Sequence, residues 1–298
     1  MFDRMLGPYL VRTGLLTKEQ LEEVYATQEE TRAKLGVIAV GEKLMSMTQA
    51  EEVNAAQALE DKRFGDIAVE KGYLTLDQLK RLIEMQGNAF HTFSQVIADK
   101  KFLTVDDIKR ATKDFQREFE LLPRDMDALI AGDVDRITGM HLPTVKDDIG
   151  EIFALAVRNM IRLVDRHVSI GRAETVKKVT SDVLACQTMT GDVDATVMIY
   201  GNYEDLRGVA VSYTQEEFIE TREDVLDAMC ELINTNNGLF ARDIVNNRGG
   251  AMEVTPPVYY TQGASVTAKE IIVLPMNICD GRTNYAVAVG RDVKVEEN

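Results

Sequence analysis

One pattern dominates the first 120 residues: a unit of 29 residues that occurs four times. Gly7, Gly36 and Gly65 recur at that spacing, with Ser94 in the fourth position. Gln28, Gln57 and Gln86 share a column with Phe115; Leu16, Met45, Leu74 and Leu103 form another. Thr17, Ser46, Thr75 and Thr104 are followed three residues later by Gln20, Gln49, Gln78 and Asp107. Ser/Thr-x-x-Gln is a capping box, in which each side chain satisfies a backbone N–H that the first helical turn leaves unpaired, and Asp serves in the same way. A helix is therefore expected after each cap. Its apolar face starts at Leu21, Ala50, Leu79 and Ile108 and continues at Val24, Val53, Leu82 and Ala111. A shorter apolar segment precedes each cap, so each unit reads as short helix, turn, longer helix. Gly14 and Gly72 alternate with Lys43 and Lys101, making units one and three alike and units two and four alike; this suggests two modules of paired units.

Composition narrows the function. The chain has 298 residues, about two domains' worth. Against 34 basic residues stand 49 acidic ones, a net charge of −15. Sequence-independent nucleic-acid binding needs Lys and Arg to displace counterions, and an anionic membrane surface repels the same charge, so neither partner is expected. No apolar run is long enough to span a bilayer, and the N-terminus has no basic stretch followed by an apolar core, so the expected location is the cytoplasm. The three cysteines, Cys186, Cys230 and Cys279, form no CxxC pair and read as reduced thiols. There is no phosphate-binding GxxxxGK[ST] loop, no HExxH and no GxSxG. His91, His141 and His167 show no ligand spacing, and no metal site is expected.

LGPYLVRTGLLTKEQLEEVYATQ (6–28) and RFGDIAVEKGYLTLDQLKRLIEMQ (63–86) resemble the MshEN-type module found at the N-termini of secretion and pilus ATPases. The resemblance covers about 1–116 and implies a small helical domain. Some members bind cyclic di-GMP, which makes Arg63, Phe64 and Gly65 the start of a candidate nucleotide site. The Arg before Leu-Gly in that motif is Met5, Lys34 and Thr92 in the other three units, and only Arg63 matches. Packing of a helical module accounts for the same Leu, Gly and Gln columns without a ligand.

Residues 121–144 read as a linker, with one short helix at 125–131 between Pro123 and Pro143. The remainder, 145–298, reads as a second domain. An amphipathic helix is expected over 145–166, strands over 175–187, 193–201 and 206–214, a capping box at Thr214 and Glu217, and a long helix over 223–245. Further strands are expected at 252–260, 269–278 and 283–290. Short connections favour an antiparallel sheet with helices on one face, so the expected class is α+β: an all-α repeat domain followed by a sheet-and-helix domain.

On the long helix, Asp227, Glu231, Asn234 and Gly238 fall on one narrow stripe. Val225, Leu226, Met229, Leu232, Ile233, Leu239, Phe240 and Ile244 take broadly the other side, and Asn236 falls among them unaccounted for. A polar stripe of this kind also describes an ordinary solvated face that ends at Asn236-Asn237-Gly238 as a C-cap.

DVLDAMCELINTNNG (224–238), with GDVDATVMIYG (191–201) before it and TPPV (255–258) after it, resembles the CheC/CheX family of chemotaxis phosphatases. That family carries an acidic residue, then Glu-x-x-Asn, then Gly four residues on, matched here by Asp227, Glu231, Asn234 and Gly238. The resemblance implies hydrolysis of the aspartyl phosphate of a response-regulator receiver domain. Asn234 would place the attacking water and Glu231 would dock on the receiver's active-site lysine, with Asp227 and Gly238 at the partner surface. Mg²⁺ would arrive with the receiver, so this chain needs no cofactor of its own. A second copy begins at Gly150-Glu151, but Ala154 stands where Asn would be and Arg158 where Gly would be, implying one site per chain. On the same analogy the chain is expected to form a homodimer by sheet edges. Two other functions fit the same residues: an adaptor that binds a receiver without hydrolysing its phosphate, and a cyclic di-GMP effector with a dimerising C-terminal half.

Overall fold

The computed structural model describes residues 1–31, 34–42, 44–57, 59–86, 89–216 and 219–297. Backbone contacts divide the chain into two compact units, Met1–Asp133 and Val134–Asn298.

In the first unit the four repeats are the helix pairs α1 (Phe2–Arg12) and α2 (Lys18–Thr31), α3 (Leu35–Gly41) and α4 (Met47–Gln57), α5 (Phe64–Glu70) and α6 (Leu76–Gln86), and α7 (Ala89–Asp99) and α8 (Val105–Glu118). All four capping boxes form. The backbone N–H groups of Thr17, Ser46, Thr75 and Thr104 donate to the side chains of Gln20, Gln49, Gln78 and Asp107. The N–H groups of those four residues donate back to the capping hydroxyls. Each box holds the start of a longer helix by about 1 kcal/mol.

The repeats do not pair in the order in which the sequence alternates. The middle units pack together, α3 on α6 and α4 on α5, and bury Ala39, Met45, Ala50, Val53, Ile67, Ala68, Leu74 and Leu82. The outer units pack together, with α1 on α7 and α8, and α2 on α7. There the rings of Phe2 and Tyr9 meet Phe115 edge-on, with centroids 5.5 and 5.2 Å apart. A single unit has one apolar face and needs a second to cover it. The repeat glycines let helices approach. A Cβ on Gly36 would lie 3.0 Å from the Phe64 ring of the next unit, and one on Gly65 would lie 2.3 Å from Leu79 Cδ1.

The stretch read as a linker holds two helices, α9 (Pro123–Ala131) and α10 (Val134–His141). Pro123 starts α9, where its missing N–H costs nothing, and Gly132 ends it in the left-handed region at φ 74°. Helix α9 belongs to the first unit and α10 to the second.

The second unit continues with α11 (Asp147–Asn159), extended by a π-helical turn at Met160–Val164. Then come β1 (Ser169–Ile170), β2 (Glu174–Ser181), β3 (Val183–Gly191), β4 (Ala195–Gly201), α12 (Tyr203–Thr214), α13 (Arg222–Arg248), β5 (Met252–Val254), β6 (Val258–Tyr260), β7 (Ala264–Ile278), β8 (Gly281–Val289) and β9 (Lys294–Glu297). The strands form a nine-stranded sheet in the order β1-β7-β8-β4-β3-β5, with β2 and β9 also on β7 and β6 also on β3. Every pairing is antiparallel, as short connections require. The class is α+β.

Two expectations are corrected. Residues 206–214 are not a strand; they lie in α12. Asn202 caps that helix by accepting from the Asp205 N–H at 2.9 Å, and Leu206, Val209 and Ala210 are buried at helical spacing. Val209, Val211 and Thr214 favour a strand locally, but the cap and the burial period decide. Residues 175–187 are two strands rather than one, parted at Asp182: β2 pairs with β7 and β3 with β4. The capping partner proposed for Thr214, Glu217, lies outside the described residues; Thr214 ends α12, and its hydroxyl donates to the Ala210 carbonyl.

Candidate functional site on helix α13

Helix α13 runs for 27 residues, well past the Asn-Asn-Gly that read as a stop. Thr221 and Asp224 form the capping box that starts it, and Gly249, at φ 69°, ends it. Val225, Leu226, Met229, Leu232, Ile233, Leu239, Phe240 and Ile244 are all buried. The helix packs on β3, β4, β5 and β6, which turns the opposite stripe outward. Asp227, Glu231, Asn234 and Gly238 are all exposed. The structure therefore places these four residues together on the open face of one rigid helix.

Asn234 is exposed yet anchored. Its Oδ1 accepts from Gln187 Nε2 at 2.7 Å, and that nitrogen also donates to the Thr255 carbonyl at 2.8 Å. Gln187 Oε1 accepts from Asn237 Nδ2 at 2.9 Å. Gln187 and Asn237 are buried beneath the stripe, Gln187 on the central part of β3. Gly238 sits in mid-helix with open space where a Cβ would be, so nothing in this chain's packing calls for a glycine. A helix-interior Gly costs about 1 kcal/mol relative to Ala, and the free space lies on the outer face.

Aromatic side chains flank the stripe. Tyr259 on β6 has its hydroxyl pKa raised, first by the Asp227 carboxylate and then by partial burial. Tyr213 on α12 is raised by burial, with the Glu231 charge adding to it, and its hydroxyl lies 3.5 Å from Thr235 Oγ1. The Cys230 thiol, buried beside Glu231, is pushed up to about 12 by burial and then by Asp227. A neutral thiol with no cation to ionise it is a packing group.

The degenerate copy on α11 is occupied by internal pairs. Arg248 binds the Glu151 carboxylate and also reaches Asp148 at 3.1 Å and Asp243 at 2.7 Å. Arg158 pairs with Asp135. Ala154, in the position of Asn234, is buried.

The residues proposed for a nucleotide are arranged as follows. Arg63 is exposed at the N-cap of α5, Phe64 packs over Gly36, and Gly65 is buried against Leu79. Among the described residues, no group of three or more His, Cys, Asp or Glu side chains could hold a metal ion, and no helix is long and apolar enough to cross a membrane.

Sequence reasoning found the outward stripe and missed what holds it. In the sequence Gln187 stands only as the last residue of the expected strand over 175–187. Its signal was a Gln among Leu184, Ala185, Cys186 and Met189, a buried amide that must find partners.

The site coincides with a family match. Residues 183–277, from the start of β3 to near the end of β7, match the family described as Chemotaxis phosphatase CheX. No curated protein matches the chain. Among solved structures, the chemotaxis protein CheX from Desulfovibrio desulfuricans is 14% identical over 49% of this chain and 100% of its own, with a TM-score of 0.42. A CheC-like superfamily protein from Shewanella sp. PV-4 is 15% identical over 50% of this chain and 100% of its own, with a TM-score of 0.43. A chain of the CheX-CheY-BeF3-Mg complex from Borrelia burgdorferi is 18% identical over 51% of this chain and 99% of its own, with a TM-score of 0.36.

Proposed function

We propose that the C-terminal unit hydrolyses the aspartyl phosphate of a response-regulator receiver domain. The observation that carries this reading is the anchored Asn234. A neutral amide is exposed on a rigid helix yet fixed from below by Gln187, with Glu231 one turn before it and the side-chain-free Gly238 one turn after it. The match of residues 183–277 to the chemotaxis phosphatase family supports the same reading.

The chemistry needs little else. An acyl phosphate is already reactive, and its hydrolysis requires a water held in line with the bond that breaks. Asn234 holds that water. The water oxygen bonds to phosphorus, the bond from phosphorus to the aspartyl oxygen breaks, and the receiver's carboxylate leaves with the bonding pair. The water's proton passes to a phosphoryl oxygen or to solvent. Positioning of this kind supplies up to roughly 7–11 kcal/mol without an acid or base on the enzyme. Glu231 pairs with the receiver's active-site lysine and sets the docking register. Gly238 admits the receiver's backbone, and Asp227 lies at the rim. Magnesium belongs to the receiver substrate.

The test is phosphate release from phosphorylated receiver domains, wild type against Asn234→Ala. Acceleration by wild type alone supports the reading. Binding of a receiver without acceleration would replace the phosphatase with an adaptor.

A further inference from the structure

We propose that Gln187 is a positioning residue that fixes which end of the Asn234 amide meets the attacking water, so that Asn234 offers its NH₂ group as a donor; this rests on the phosphatase reading above. The argument starts from a backbone carbonyl. Thr255 O can only accept, and Thr255 is tied to β3: its N–H donates to the Thr188 carbonyl at 3.0 Å, and its hydroxyl lies 3.2 Å from the same oxygen. Gln187 lies 2.8 Å from Thr255 O and must turn its nitrogen there, because an oxygen in that place would face another oxygen. The second proton of that nitrogen points to Asn234 at 2.7 Å. Asn237 Nδ2 donates to Gln187 Oε1 at 2.9 Å and completes the set. Asn234 is therefore left one orientation: Oδ1 inward on Gln187, Nδ2 outward.

The consequence is chemical. A donor amide engages one lone pair of the water oxygen and leaves another for phosphorus. A carbonyl presented in its place would bind a water proton and leave the direction of the lone pairs loose. Without Gln187 the Asn234 amide turns about its last bond and presents both ends. Gln187 is buried on β3 and touches no receiver, so its loss should change the chemical step and leave docking alone.

The experiment uses the full chain and two substitutions, Gln187→Met, which keeps the shape without hydrogen bonds, and Gln187→Glu, which keeps acceptors and removes the donor. Receiver dephosphorylation should show kcat lower by about 10- to 100-fold in both, as expected for a misplaced water, with KM within about twofold of wild type. A rise in KM with kcat intact, or kcat within about twofold of wild type in both variants, overturns the proposal. Side-chain amide NMR on the wild type gives a readout that needs no activity and no variant. Both Gln187 Nε2 protons should exchange slowly with water, and the Asn234 Nδ2 protons quickly from an otherwise ordered side chain. Slow exchange at Asn234 with fast exchange at Gln187, or a mobile Asn234 amide, refutes the proposed orientation. If wild type accelerates no receiver, the phosphatase reading fails, while the NMR result still decides whether Gln187 orients Asn234.

Discussion

Removing the Asn236 side chain should destabilise the C-terminal unit far more than an ordinary polar truncation. Asn236 on α13 and Asn159 on α11 are both buried, and Asn159 Nδ2 donates to Asn236 Oδ1 at 2.6 Å. Asn159 Oδ1 accepts in turn from Arg162 at 2.5 Å, which sets the orientation of the Asn159 amide. Asn236→Ala deletes the acceptor and strands the Asn159 donor where water does not reach. The net bond is worth about 1 kcal/mol and the stranded donor about 1–3 kcal/mol, giving a loss of about 2–4 kcal/mol. For a unit of this size each kcal/mol moves Tm by about 2–4 °C, so the transition should fall by about 4–16 °C. Calorimetry of the full chain follows it. Asn159→Ala and the double variant close a thermodynamic cycle. With both partners gone neither amide is left stranded by the loss of the other, so the double variant should lose less than the sum of the singles by about 1 kcal/mol or more. A shift below about 2 °C for Asn236→Ala, or additivity within about 0.5 kcal/mol, would refute the claim that this pair joins the two helices.

Other consequences can be measured independently. Gly238→Ala, which meets no neighbour, should stabilise the chain by about 0.5–1 kcal/mol while raising KM for the receiver; unchanged KM would remove Gly238 from the docking surface. Gly191→Ala places a Cβ 2.1 Å from the Ala251 carbonyl oxygen at φ 133°, so β5 should detach, seen as faster hydrogen exchange at Met252–Val254 without loss of the β3–β4 ladder. Burial pushes the Cys186 and Cys279 thiols up to about 11 and Cys230 up to about 12. A thiol is neutral below its pKa and only the thiolate reacts, so alkylation of the native protein should be slow at pH 8 and rise about tenfold per pH unit until about pH 11; fast labelling of Cys230 at pH 7 would contradict its packing role.

Much of this was legible because it is local. The four capping boxes join residues three apart, and all four helices begin where those pairs stand. The stripe of Asp227, Glu231, Asn234 and Gly238 follows from helical geometry alone once α13 is recognised, and its apolar side is the buried side. The errors were also local in origin. Residues 206–214 follow a polar turn and hold Val209, Val211 and Thr214, and the Asn202 cap that makes them helical lies just outside the run. Asn236 looked misplaced because its partner, Asn159, is 77 residues away.

The sequence by itself determined the repeat, its helices, the class of the second unit and the outward face of α13, because periodicity and capping act over a few residues. Only the tertiary structure decided that the middle repeats pack with each other and the outer ones likewise, since any unit's apolar face could cover any other's. It also decided that Glu151 is bound by Arg248 while Asn234 stands free toward solvent on an anchor from β3. A buried amide such as Gln187 declares that it needs partners. Which partners it finds depends on strands and helices that meet only when the chain is folded.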